Sequence, residues 1–212
     1  RLKKKMREYG CHFLKTDEVM DLPEQIFSEV RVKPSTHYKK FKKDRVVDVD
    51  DTTLVGDNTL TKMLYERQLC GVYSKAKLDA FKDLVESTED RLIVFYNFTS
   101  EMELLKVVDA FRPVSIVNGN TKDLTNYEKC SNSITFIQYQ AGAMGLNLQK
   151  SNKIIYYSPP LSSELYEQSK KRTNRIGQKR TCYYYNLIVT NSIEEKIYET
   201  LAMRCDYTNK LF

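Results

Sequence analysis

Two kinds of apolar pattern alternate along the chain. Short runs rich in aliphatic and aromatic residues at 91–96, 114–117, 134–139, 153–157 and 183–189 have the length and character of buried strands. Between most of them the apolar positions recur every three or four residues. In AKLDAFKDLVES, Leu78, Phe81, Leu84 and Val85 keep that spacing, which predicts a helix near 76–86 with a core-facing stripe, after another near 60–70. A last helix is predicted from its start: Ser192 caps it, Glu195 completes a capping box, and Ile193, Ile197 and Leu201 form the stripe. Upstream, QIFSEVRVKP (Gln25 to Pro34) reads as a short strand and the polar run VDVDDTTLVGDNT (Val47 to Thr59) as a loop. Strands alternating with helices imply an α/β fold, a mostly parallel sheet with helices on both faces. Ligands of such sheets gather where strands end.

The 212 residues suffice for one α/β domain, or one with an appendage, and a sizeable core. No apolar run approaches the roughly 18 residues of a membrane span, and RLKKKMREYG lacks the apolar centre of a signal peptide, so a cytoplasmic or nuclear location and no membrane partner are expected. The five cysteines stand far apart without a CxxC pair, and His12 and His37 sit in no cluster, so neither a disulfide frame nor a metal site is expected. High Lys and Tyr content with few Ala fits an AT-biased genome, viral ones included.

Charge changes the picture through its distribution. The net charge is +6, with five Lys or Arg in residues 1–7, five in 39–45, and six in 168–180, where no acid occurs. Basic runs are ordinarily solvated faces, but three on one chain suit an anionic partner, nucleic-acid backbone first.

The third run is QSKKRTNRIGQ (Gln168 to Gln178). Pro159-Pro160 ends the preceding segment and Ser162 or Ser163 can cap a helix. If that helix continues through the run, Gln168, Arg172 and Arg175 fall within roughly 60° of one another at about 100° per residue. Glu167 can reach Lys170 and Lys171, but neither arginine has an acid three or four residues before it. One face would then offer an amide and two guanidinium forks, a match for phosphate oxygens. Upstream, the strand ITFIQYQ (Ile134 to Gln140) runs into AGAMGLNLQ (Ala141 to Gln149), where Gly142 and Gly145 allow close backbone approach to a ligand.

AGAMGLNL followed by QSKKRTNRIGQ, with the strand KIIYY (Lys153 to Tyr157) between them, resembles motifs V and VI of superfamily two helicases and translocases. The GLNL and RIGQ wording is closest to the Swi/Snf-like, chromatin-remodelling branch. RLIVFYNFTSEMELL (Arg91 to Leu105) resembles motif IV, and VNGNTKDL (Val117 to Leu124) the block after it. FLKTDEVMDLPEQ (Phe13 to Gln25) is similar to the connection between the two motor lobes, and residues 60–84 to the helices that enter the second. Asp17-Glu18 does not end a buried apolar strand, as a magnesium-holding pair must, and reads as surface.

The resemblance implies a RecA-like second helicase lobe over 60–212, preceded by a mixed leading segment over 1–59. It implies that Arg175 is the arginine finger, with Arg172 a second phosphate contact and Gln168 beside them, and that Gly145 and Asn147 meet the nucleotide. Asn97 and Thr99, with the turn Ala141 and Gly142, would hold the phosphates of the tracked strand through backbone N–H and hydroxyl groups. The loops after the strands at 91–96 and 134–139 and the motif VI helix would lie along one edge. Two positions depart from the family: Tyr139-Gln140 stands where motif V begins with Ser or Thr, and Lys171 replaces an acid before Arg172.

No G-x-x-x-x-G-K-[ST] occurs. The implied cofactor, ATP with Mg2+, would be held mainly by an N-terminal RecA-like lobe, the implied partner along with DNA, as duplex in keeping with the remodeller-like wording. The chain alone is expected to be a monomer without ATPase activity. The alternative is a non-enzymatic nucleic-acid-binding or scaffolding module on the same fold.

Overall fold

The computed structural model describes residues 5, 8–10, 22–109, 111–142 and 145–203. Asp17-Glu18, most of the first basic run and part of the interlobe resemblance lie outside them. Strand β1 (Gln25–Val32) leads into α1 (Thr36–Asp44), which Ser35 caps by accepting from the Tyr38 N–H. A hairpin follows, β2 (Val46–Val49) and β3 (Thr52–Val55), and then α2 (Thr59–Gly71) and α3 (Lys75–Glu86). The loop expected over Val47 to Thr59 is therefore half strand. Val47, Val49 and Leu54 point inward between exposed Asp48 and Thr53, whose side chains bond at 2.6 Å. Period-two burial outweighs the polar composition that suggested a loop.

The rest of the chain is β4 (Leu92–Tyr96), α4 (Thr99–Leu105), β5 (Val114–Val117), β6 (Lys122–Asp123), α5 (Thr125–Lys129), β7 (Ile134–Gln138), α6 (Tyr139–Gly142), β8 (Lys153–Tyr156), α7 (Ser163–Lys170), β9 (Cys182–Val189) and α8 (Ile193–Ala202). Seven strands form one sheet in the order β1-β9-β8-β4-β7-β5-β6. Every pairing in it is parallel except that of the short β6 with β5. Strand starts align, with Leu92 opposite both Ile134 and Lys153, and Lys153 opposite Tyr183. This is the α/β, mostly parallel architecture that the alternating pattern predicts. β1 pairs with β9 along its whole length, so from Gln25 onward the leading segment is built into the lobe. No helix among the described residues is long and apolar enough to cross a membrane.

Burial on both faces explains the near-continuous apolar strands. One face packs Val94, Phe136, Ile155 and Leu187 against Phe81 and Val85 of α3, while Leu78 and Leu84 sit half-buried at its margin. The other carries a row of rings crossing four strands: Phe27 on Tyr184 at 4.7 Å between centroids, Tyr184 near Tyr156 at 6.4 Å, Tyr156 near Phe95 at 5.5 Å, and Phe95 on Tyr139 at 5.2 Å. Each such pair adds about 0.5–1.5 kcal/mol beyond the area it buries.

Ser192 caps α8 as predicted, accepting from the Glu194 N–H, but Glu195 reaches back to the Asn191 N–H rather than to the cap itself. Glu194 turns inward, accepts from the Val189 N–H at 3.1 Å, and pairs with Lys77 of α3 where both side chains are essentially inaccessible. The Lys77 ammonium also lies 4.9 Å from the Tyr157 ring centroid. Burial raises the Glu194 carboxyl above its ordinary range even with Lys77 beside it. Lys77→Ala is expected to cost about 3–5 kcal/mol by leaving a buried charge unpaired. Lys77→Met with Glu194→Met should recover at least half of that loss. Urea unfolding measures both, and a single-variant loss under about 1 kcal/mol would contradict a dry, uncompensated charge.

Candidate functional site

Parallel strands sort their loops into two groups, those at strand starts and those at strand ends, on opposite edges of the sheet. Motif VI lies at the starts. Helix α7, capped by Ser162, ends at Lys170, and residues 171–180 return to β9 through turns. Only Gln168 of the three expected neighbours is helical. The helix stops because the Lys170 carbonyl is taken by the Tyr184 hydroxyl at 3.0 Å, with the buried Thr173 hydroxyl beside it, leaving only a 3.5 Å contact for the Asn174 N–H. Gly177, at φ +98, completes the departure from helical geometry. The single face expected for Gln168, Arg172 and Arg175 does not form, and the Gln168 amide instead donates to Glu164 at 2.8 Å.

The turn brings together a different set. Arg175 donates from Nη1 to Asn147 Oδ1 at 2.7 Å, joining two of the residues expected at the nucleotide. The Arg172 carbonyl accepts from the Leu148 N–H at 3.1 Å, which ties motif VI to the loop carrying Gly145, exposed at φ +68. Arg172 is half-buried and its Nε is enclosed without a partner. Burial, and then the neighbouring Arg175 charge, hold its guanidinium below the ordinary arginine range. Neither arginine meets a carboxylate among the described residues. Two like charges side by side, one partly desolvated, make a site that an anion would stabilise.

Gln178 holds the turn in place. Its Nε2 donates to the Gln149 and Ser151 carbonyls at 3.0 and 2.9 Å, and its Oε1 accepts from the Lys179 and Arg180 N–H groups, both at 3.1 Å. Gln149 reciprocates by donating to the Ile176 carbonyl at 2.7 Å. Both donors and both lone pairs of the buried Gln178 amide are used between the two motif loops. The hydrophobic pattern gives no signal for this role.

Motifs IV and V begin at the opposite edge, where β4 and β7 end, so the single edge expected for all three motifs is corrected to two. There the buried Glu101 accepts from the Asn97 and Phe98 N–H groups at 2.9 and 3.1 Å and from the Ser158 hydroxyl at 2.9 Å. The Asn97 side-chain amide donates to Ser158 Oγ and the Pro159 carbonyl, both at 2.9 Å, and the Asn97 backbone carbonyl accepts from the Gln138 amide. These donors, expected to face phosphate, are committed within the lobe. Thr99 is exposed at the first turn of α4. Ala141 and Gly142 form not an open turn but the helical turn α6, with the Ala141 methyl buried. Glu101 is the residue that sequence reasoning missed here; its signal is an acid three residues into a helix, the reach-back position of a cap. A Cβ on Gly71 would lie 2.0 Å from Glu101 Oε1, so only glycine fits against it.

Residues 76–177 match the Helicase conserved C-terminal domain. The chain is 28% identical over 124 residues to the DNA repair protein rhp54 of Schizosaccharomyces pombe, covering 54% of this chain and 15% of that protein. It is 34% identical over 119 residues to putative helicase 172L of Invertebrate iridescent virus 6, covering 51% of this chain and 20% of that protein. Along all of its length it is 23% identical to the transcription regulatory protein SNF2 of Saccharomyces cerevisiae, 15% of which it covers. The chain thus spans a fifth or less of each of these relatives. The crystal structure of the C-terminal part of the Fun30 ATPase domain superposes with a TM-score of 0.65 at 15% identity, covering 84% of this chain and 89% of that one, which shows the same RecA-like fold. With that fold and the motif V and VI loops joined as described, residues 76–177 are a helicase C-terminal domain, and the similarity of the chain to rhp54, SNF2 and the Fun30 structure supports a C-terminal lobe of the Swi/Snf-like branch of superfamily two.

Proposed function

We propose that this lobe is the C-terminal half of an ATP-dependent DNA translocase and acts on a nucleotide held by an N-terminal RecA-like lobe of the same protein, as a monomer in the cytoplasm or nucleus. The observation that carries it is the pair Arg172 and Arg175, cationic neighbours without a carboxylate between them at the strand-start edge. A polyphosphate arriving there relieves their repulsion and gives the enclosed Arg172 Nε an acceptor.

Arg175 would act as the arginine finger, exchanging Asn147 for phosphate oxygens as the cleft closes. Arg172 adds a second contact, Gly145 and Asn147 line the nucleotide side, and Gln168 flanks it. Two guanidiniums and an amide fit phosphate oxygens rather than a cation, and no group of three or more His, Cys, Asp or Glu that could hold a metal occurs among the described residues. Magnesium therefore belongs with the other lobe, where it would offset phosphate charge. Because the arginines reach the nucleotide only in the closed state, closure is coupled to the nucleotide's charge and reverses after hydrolysis.

The strand-end edge would grip DNA, with Thr99 and the backbone of Gly142 as contacts and Asn97 and Ala141 as the framework that sets them. Such contacts hold phosphates without reading sequence. One connection links the proposed contacts at the two edges directly: residues from Tyr139 to Asn152 leave β7 at the DNA side and reach the start of β8 beside Arg172. Cleft movement and DNA grip therefore share a covalent link.

The chain alone is expected not to turn over ATP, with or without DNA, and steady hydrolysis by a highly purified sample would contradict this. In the intact protein, Arg175→Ala should retain most nucleotide affinity while lowering turnover by about 10³ to 10⁵. Arg172→Ala should be similar or milder; equal losses of binding and turnover would point to a structural role for the arginines instead. Gln178→Leu, which leaves the Gln149 and Ser151 carbonyls unmet, should cost about 1–3 kcal/mol in unfolding free energy. Its effect on turnover should exceed its effect on ADP affinity, and the reverse order would remove Gln178 from the positioning of Arg175.

A further inference from the structure

A basic cleft of about 550 Å³ opens at the strand-end edge, between the segment after β1 and the segment after β9. It is lined by Lys33, Tyr38, Lys39, Lys42, Lys43 and the pair Thr190-Asn191, with Pro34 at its side. No carboxylate lines it. Lys39, Lys42 and Lys43 stand at i, i+3 and i+4 of α1 and so share one helix face, while Lys33 joins them from the end of β1. None of the four ammoniums is paired with an acid among the described residues, and only Lys42 is engaged, donating to the Asn191 carbonyl at 2.8 Å. Glu195, which accepts from the Asn191 N–H, pairs with Arg31 at 2.8 Å, and Glu66 lies 4.0 Å from Lys62.

The architecture gives this cluster a direction. β1 lies three strands from β4 in the sheet, and all of these strands run the same way. At about 4.8 Å per strand, the cleft sits roughly 14 Å along the same edge from the end of β4, where Thr99 stands. That separation is about four base-pair rises of 3.4 Å. A phosphate backbone lying along the strand ends past Thr99 would arrive over the cleft. Lysines serve such a contact as mobile point charges, and they need no fixed fork.

We propose that this cleft is a second nucleic-acid contact of the lobe, in which Lys33, Lys39 and Lys43 bind phosphodiester groups of the same backbone that Thr99 and Gly142 meet. Lys42 acts as the strut that fixes α1 against the β9–α8 turn, through its bond to Asn191. The contact extends the footprint of the lobe, adds affinity that salt removes, and carries no sequence preference. It rests on the proposed DNA-tracking role and specifies a site for it.

The test uses the intact protein with Lys39→Gln and Lys43→Gln together, both exposed positions, and with Lys39→Arg and Lys43→Arg as the charge-keeping variant. Binding to a duplex of fixed length is titrated at several salt concentrations, with thermal unfolding as the control for folding. Loss of two phosphate contacts should lower the slope of log affinity against log salt by about 1.8, so that wild-type affinity falls roughly tenfold further than the variant's between about 50 and about 200 mM salt. The arginine variant should keep the wild-type slope, and ATP turnover without DNA should be unchanged in both. A glutamine variant with the wild-type slope overturns the cleft as a contact while leaving DNA binding intact. No duplex binding by the unsubstituted protein would instead remove the tracking role itself. If the glutamine variant loses binding to an acidic polyglutamate peptide but not to duplex, the cleft serves a protein partner and the proposal is wrong.

Discussion

The parallel pairing of β1, β9, β8, β4, β7 and β5 is the constraint on which the rest depends. A parallel strand cannot be followed directly by its neighbour, so each connection must return from strand ends to strand starts, usually over a face of the sheet. Every loop is thereby assigned to one of two edges about a strand length apart. Motifs separated by only a few dozen residues in sequence end up on opposite sides, and the chain can present arginines to one partner and a phosphate grip to another. Both faces are buried in consequence, which is why the strands read as unbroken apolar runs and why Lys77 of α3 and Glu194 of α8, charged groups packed over the sheet, occur as a pair.

Positioning at each edge depends on a single buried polar side chain. At the strand starts Gln178 bonds both motif loops at once, and at the strand ends Glu101 gathers two N–H groups and a hydroxyl. The Gln178 amide is fully engaged and Glu101 concentrates its three bonds on Oε2; such buried bonds rigidify their surroundings, because each one broken leaves an uncompensated atom. The exposed residues that would meet ligands, Arg175, Asn147 and Thr99, are not themselves so restrained. A rigid support under mobile contacts suits a cleft that must bind and release in each cycle.

Much of the fold was legible from the sequence because it rests on periodicity. Five of the six strands after residue 90, all but the two-residue β6, and the helices at α2, α3 and α8 follow from runs and stripes that burial enforces. The hairpin β2–β3 escaped because its alternation is hidden among aspartates and threonines, and α1 because the five basic residues of 39–45, four in the helix and the fifth its C-cap, read as a solvated run. At the site, residue identities were legible and their arrangement was not. A helical wheel placed Gln168 with both arginines, whereas a hydroxyl on β9, Tyr184, ends the helix from a distance that no local pattern encodes. Likewise Asn97 has the chemistry of a phosphate ligand, yet its amide is committed to Ser158 and Pro159, more than sixty residues away.

Nucleotide-dependent engagement of the strand-start edge can be measured by hydrogen exchange on the intact protein, with and without a non-hydrolysable ATP analogue. If the arginines meet a nucleotide held by another lobe, the amides of residues 145–151 and 172–178, including the Leu148 N–H bonded to Arg172, should gain protection when the analogue binds. Those of the β2–β3 hairpin, which forms a sheet of its own, should exchange unchanged. Equal exchange of residues 145–151 and 172–178 in both conditions, under saturating analogue, would contradict a motor lobe acting in trans on the nucleotide.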